Sequence, residues 1–128
     1  MALDIRTPMA YIQCVTKRPI TVVEIKQFTV RAKGRMTAEE VDTVTDMIAA
    51  DPLRGDLIQG TGGVRKARFA VRHRGKRGGV RVVYYYYNET LPAFLLTVFA
   101  KGEKDNLTKA ERNTLAKLAR MLRDSYGE

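Results

Sequence analysis

The sequence contains no tryptophan, a single cysteine (Cys14), a single histidine (His73) and, between Asp56 and Glu89, no acidic residue at all. Each shortage removes a class of explanation. A lone cysteine cannot close an internal disulfide, so nothing asks for an oxidising compartment and a cytoplasmic setting is expected. With one His, one Cys and no carboxylate cluster near the basic stretch described below, neither a zinc site nor a two-metal site is spelled out. No metal or other cofactor is therefore expected. The apolar run Ala93 to Ala100 is too short to span a bilayer and is interrupted by Thr97. The opening residues Met-Ala-Leu-Asp-Ile-Arg-Thr-Pro place an acid and a proline where a signal peptide would be apolar, so no membrane partner is expected.

What the chain has in excess is positive charge, concentrated in one place. Its 128 residues include 23 bases and 14 acids, a formal net charge of +9. Eight of those bases, Arg65, Lys66, Arg68, Arg72, Arg74, Lys76, Arg77 and Arg81, lie in the acid-free stretch, and without them 15 bases would face 14 acids. The excess is a local patch and not a general solubility device. Like charges this dense repel one another, so a partner should bring the missing negative charge. Nucleic acid ranks ahead of an anionic membrane for that role.

The length and the 45% hydrophobic content fit one globular domain with a sizeable core. Residues 1–18 show no clean period and read as an irregular extension, leaving 19–128 as the domain. Ile20 to Ile25 is rich in β-branched residues and reads as a short strand. A helix is expected through Gln27 to Lys33, with Gly34 as its stop. Thr37 and Glu40 have capping-box spacing, and Val41, Val44, Met47 and Ile48 recur at helical intervals, so a helix is predicted over 37–50 before Pro52. Three strands should follow, Val64 to His73, Val80 to Asn88 and Phe94 to Lys101, joined by a glycine-rich basic hairpin and a turn at Asn88 to Pro92. Thr108 and Glu111 repeat the capping box, and Leu115, Leu118, Ala119 and Leu122 form one apolar helical face. The fold class predicted is α+β: a small antiparallel sheet with helices packed on one face.

Strand alternation turns the charge run into a surface. Lys66, Arg68, Ala70 and Arg72 share one side of their strand, while Arg65, Ala67, Phe69 and Val71 share the other, more apolar side. On the next strand Arg81, Val83, Tyr85 and Tyr87 share a side, expected to be the outward one. Cations for phosphates beside flat rings for bases make the composition of an RNA-binding face. Packing competes as an explanation for the tyrosines, and simple solvation for Arg74, Lys76 and Arg77 at the hairpin tip.

Gly60-Thr61-Gly62-Gly63 precedes a strand and lacks a Lys-Ser/Thr ending, so it reads as a turn and not as a nucleotide-binding loop. Metal-free RNA cleavage needs a base for the ribose 2′-OH, an acid for the leaving oxygen and cations around a dianionic phosphorane. The cations are plentiful. The acid–base options are His73, Glu103, Tyr85, Tyr87 or a lysine of the crowded patch.

The stretch GDLIQGTGGVRKARFAVRHRGKRGGVRVVYYYY, followed by FLLTVFAKGEKDNLT, resembles the RelE/HigB-like toxins of bacterial type II toxin–antitoxin modules, in the RelE/ParE superfamily. That resemblance runs from about Asp51 to the C-terminus and, more loosely, back to the strand near Ile20. It implies a compact microbial ribonuclease-like fold. It also implies a ribosome-dependent endoribonuclease that cleaves mRNA, blocks translation and arrests growth until a cognate antitoxin neutralises it. On that resemblance Lys66, Arg68 and Arg81 are the phosphate or transition-state cations, and Lys101 and Glu103 complete the catalytic set. Arg65, Arg72, His73, Lys76, Arg77, Tyr85, Tyr87 and Lys104 are the RNA-contacting set. A RelE-type catalytic arginine falls on Gly102 here, and the HigB-like Lys-x-Glu-Lys segment, Lys101 to Lys104, fits better. The alternatives are a non-enzymatic, ParE-like inhibitor of DNA gyrase and an inactive nucleic-acid-binding homologue.

Overall fold

A computed structural model describes residues 20–70, 79–100, 102–103 and 106–126. Their elements are β1 (Val22–Glu24), α1 (Lys26–Ala32), α2 (Ala38–Ala50), β2 (Asp56–Leu57), β3 (Val64–Phe69), β4 (Val80–Tyr85), β5 (Ala93–Ala100) and α3 (Lys109–Tyr126). The strands form one sheet in the order β1-β5-β4-β3-β2. The α+β class stands, and so does the β3-β4-β5 antiparallel meander.

Both predicted helix starts are built as their sequences specify. The Thr37 amide donates to Glu40 Oε1 at 2.9 Å and the Glu40 amide donates to Thr37 Oγ1 at 3.1 Å. At the last helix the Thr108 amide donates to Glu111 Oε1 at 2.8 Å and the Glu111 amide to Thr108 Oγ1 at 3.1 Å. Each box satisfies two amides that a helix start otherwise leaves unpaired.

The layering differs from the expectation in two ways. β1 runs parallel to β5, with Val22, Val23 and Glu24 opposite Ala93, Phe94 and Leu95, so the sheet is mixed. Those partners lie far apart along the chain, and no local turn signal records their pairing. The helices also cover both faces of the sheet, not one. On one side Phe28, Ala32, Met36, Val44 and Ile48 of the α1–α2 layer pack on Ala67, Phe69, Val80, Val82, Tyr84 and Leu95. On the other, Leu115 and Ala119 of α3 pack on Val64, Val83, Tyr85, Phe94, Leu96 and Phe99. The physical reason is the near-continuous apolar character of β4 and β5. Every residue of β4 is buried, as are all but the last of β5, and a sheet apolar on both faces must be covered on both.

The two-residue β2 was not expected. It pairs antiparallel with β3, Asp56 opposite Lys66 and Leu57 opposite Arg65. Tyr84 anchors the loop before it: the hydroxyl donates to the Pro52 carbonyl at 2.8 Å and accepts from the Gly55 amide at 2.9 Å. A phenol this deeply buried needs such partners. At the start of β4, Gly79 has φ +69°, and a Cβ there would lie 2.0 Å from the Phe69 carbonyl oxygen. Only glycine fits where β4 turns onto β3.

Candidate nucleic-acid interface

β3 and β4 bring three of the expected cations onto the α3 side of the sheet. Arg68 and Arg81 are direct cross-strand partners, and Lys66, two residues along from Arg68, sits opposite Val83. Paired strand side chains have Cβ atoms about 5 Å apart, a spacing at which like charges repel. Arg68 is exposed and Lys66 half-buried, whereas Arg81 is only 7% exposed. The Arg81 Nη1 is buried without a hydrogen-bond partner, and no acid among the described residues forms an ion pair with any of the three. A buried, unpaired guanidinium facing another is a standing cost that an anion seated between them would relieve.

Other expected site residues fall elsewhere. Arg65 lies on the opposite face and holds the chain before β2, donating from Nη1 to the Gly55 carbonyl at 2.8 Å. That places it off the face shared by Lys66, Arg68 and Arg81. Tyr85 is on the expected side but fully buried beneath α3, its ring stacked on Phe94 at 6.4 Å between centroids. It offers no surface for a base, because α3 occupies the face that would otherwise have been outward. Tyr87 is 49% exposed, with the Arg123 guanidinium 5.3 Å from its ring centroid. At about 3.3 Å per residue, Tyr85 lies about 13 Å along the strand from Arg81, with Tyr87 further still. The cations and the rings therefore occupy opposite ends of the face.

Glu103, expected in the catalytic set, is held by two arginines. It accepts hydrogen bonds from Arg31 Nη2 at 2.8 Å, from Arg35 Nε at 2.9 Å and from the Ala100 amide at 2.9 Å. The Arg35 hydrogen bond is the main cause of a carboxyl pKa lowered to about 2, with the Ala100 amide and Arg31 adding to it. A carboxylate held this firmly is a poor proton acceptor. Its place is a clamp between α1 and the end of β5, since Arg31 Nε also donates to the Val98 carbonyl at 2.8 Å. Arg72, His73, Lys76, Arg77, Lys101 and Lys104 lie outside the described residues.

Sequence reasoning missed the basic stripe of α3. Lys109, Arg112, Arg120 and Arg123 follow helical spacing and lie together on one side of the helix. Their i, i+3, i+11, i+14 spacing is legible in the sequence beside the apolar face of the same helix. Lys109 and Arg112 join Lys66, Gln59 and Asn113 around a cleft of about 750 Å³, which Asp56 also lines. Arg112 is steadied by donating from Nη1 to the Leu107 carbonyl at 2.9 Å.

Among the described residues, no group of three or more His, Cys, Asp or Glu side chains is placed to hold a metal ion. None of their helices is long and apolar enough to cross a membrane. A family model described as the RelE toxin of the RelE/RelB toxin–antitoxin system matches residues 25–127.

Proposed function

Because the chain belongs to the RelE family, the toxins of RelE/RelB toxin–antitoxin systems, we propose that it is a ribosome-dependent endoribonuclease that cleaves mRNA and blocks translation. The family implies a cognate antitoxin as its partner. The observation that carries the enzymatic reading is the Arg68–Arg81 pair, in which a 7% exposed guanidinium faces a second one and an Nη1 lacks any partner. A phosphodiester is the ligand that this arrangement would suit.

In the reaction, the ribose 2′-OH loses its proton to a base and attacks the adjacent phosphorus. The P–O5′ bond then breaks as the leaving oxygen takes a proton, and a 2′,3′-cyclic phosphate remains. Arg81 and Arg68 would balance the two negative charges that gather on the phosphorane, because their guanidinium groups are already in place before the charge develops. Lys66 extends the cluster toward the cleft shared with Lys109 and Arg112. With Glu103 held ionised in its pairing with Arg31 and Arg35, the proton carriers are to be sought among His73, Lys66, Lys101 and Lys104.

The test is a cell-free translation reaction with purified protein, in which mRNA 5′ ends are mapped with and without ribosomes. New ends that appear only with ribosomes are expected. Ends formed equally without ribosomes would make it a free ribonuclease. Intact mRNA and unhindered translation would sink the proposal and direct attention to DNA gyrase.

A further inference from the structure

A second small cavity, about 150 Å³, lies between the Gly60–Gly62 turn and the C-terminal half of α3, remote from Arg81. Tyr85, Arg120 and Arg123 line it with that turn. Tyr85 is 0% exposed, and its hydroxyl, beside Arg123, finds no acceptor for its proton, a costly state for a buried phenol. Burial pushes its pKa up, with the charge and hydrogen-bonding of the neighbouring Arg123 pulling the other way, and the protonated hydroxyl is a donor awaiting an acceptor.

The surroundings favour an anion in that place. Two guanidinium groups flank the cavity, and Arg123 also stands over the exposed ring of Tyr87. Asp124 has its carboxylate 3.9 Å from Arg123 Nε and its side chain 71% exposed, a loose pairing that leaves much of the Arg123 charge uncompensated. Gly60 and Gly62 have φ of +81° and +75°, and a Cβ built on either would meet nothing within 4 Å, so the turn leaves open space beside the cavity.

We propose that this cavity is a distal nucleotide subsite: Tyr85, Arg120 and Arg123 bind one phosphodiester of single-stranded RNA while its neighbouring base stacks on Tyr87. The inference rests on the RNA-cleaving reading above and extends it. The strand threads from the Arg68–Arg81 cluster, past Lys66, Lys109 and Arg112, to a second anchor at the far end of α3. Stacking on an exposed ring tolerates any base, so this anchor would add grip without adding sequence preference.

The experiment measures binding of a fluorescent single-stranded RNA dodecamer at several salt concentrations. It compares the parent, Tyr85→Phe, the double variant Arg120→Ala/Arg123→Ala, and Lys66→Ala/Arg68→Ala, with circular dichroism to establish that each is folded. Tyr85→Phe keeps the buried ring and removes only the donor; its affinity should fall about tenfold, the scale of one hydrogen bond to a charged group. The α3 double variant should lower the slope of log affinity against log salt by about 0.7, the loss of one neutralised phosphate on a single strand. If both leave affinity and slope unchanged while Lys66→Ala/Arg68→Ala weakens binding, the subsite is wrong and the strand cluster stands. A parent that ignores the dodecamer yet cleaves mRNA on the ribosome also overturns the subsite, and leaves the cleavage reading intact.

Discussion

Replacing Glu103 with glutamine should cost stability in a way that pH reveals. Its carboxyl pKa is about 2 in the folded chain against an ordinary 4.5, chiefly through the Arg35 hydrogen bond. Taken at face value that difference is worth about 3.4 kcal/mol, at 1.36 kcal/mol per pKa unit. The side chains of Glu103, Arg31 and Arg35 are 32%, 33% and 24% exposed, so solvent screening reduces the figure to about 1 kcal/mol. A depressed folded pKa contributes stability that is fully present above the unfolded value, near 4.5, and is lost as pH falls toward 2. Urea denaturation of parent and Glu103→Gln should therefore differ by about 1 kcal/mol at neutral pH. The gap should shrink between pH 4.5 and pH 2 and close below that. A constant gap across the whole range would refute the charge argument, and equal stabilities at neutral pH would refute the clamp. Glu103→Gln should leave the shape of the pH–cleavage profile unchanged; loss of its acidic limb would restore Glu103 as a base.

Arg81→Ala should abolish growth arrest and lower mRNA cleavage by about a hundredfold or more, the scale for removing one preorganised charge donor. Its thermal midpoint should match or exceed that of the parent, because the lost group is unpaired and faces Arg68; a growth assay beside a melting curve checks both. Tyr84→Phe should destabilise the domain by about 1–3 kcal/mol, since the Gly55 amide loses its acceptor in a buried loop, measurable by chemical denaturation. Gly79→Ala should cost at least about 1–3 kcal/mol through its positive φ alone, with the 2.0 Å contact to the Phe69 carbonyl added. A Gly79→Ala protein as stable as the parent would mean that the start of β4 is placed differently.

Local signals carried much of this molecule. Two capping boxes, one β-branched meander and one acid-free basic run are each complete within a few residues, because caps, strand propensity and charge density are short-range properties. Alternation along β3 and β4 sorted Lys66, Arg68 and Arg81 onto one side correctly, and the cross-strand register then made Arg68 and Arg81 direct partners. The RelE resemblance was legible in the motif, and the family match covers residues 25–127.

What alternation could not say is which side of the sheet would be left open. That depended on where α3 docks, and its choice of the Arg81 side buried Tyr85 and carried Arg120 and Arg123 to the Gly60–Gly62 turn. Likewise a carboxylate in a Lys-Gly-Glu-Lys segment reads as a base until Arg31 and Arg35, about seventy residues earlier, are found upon it. Charge, caps and strand faces were determined by the sequence itself, because each arises between near neighbours. Burial, ion pairing and the division of the face into a cation end and an aromatic end were decided by contacts between distant segments, which exist only once the chain has folded.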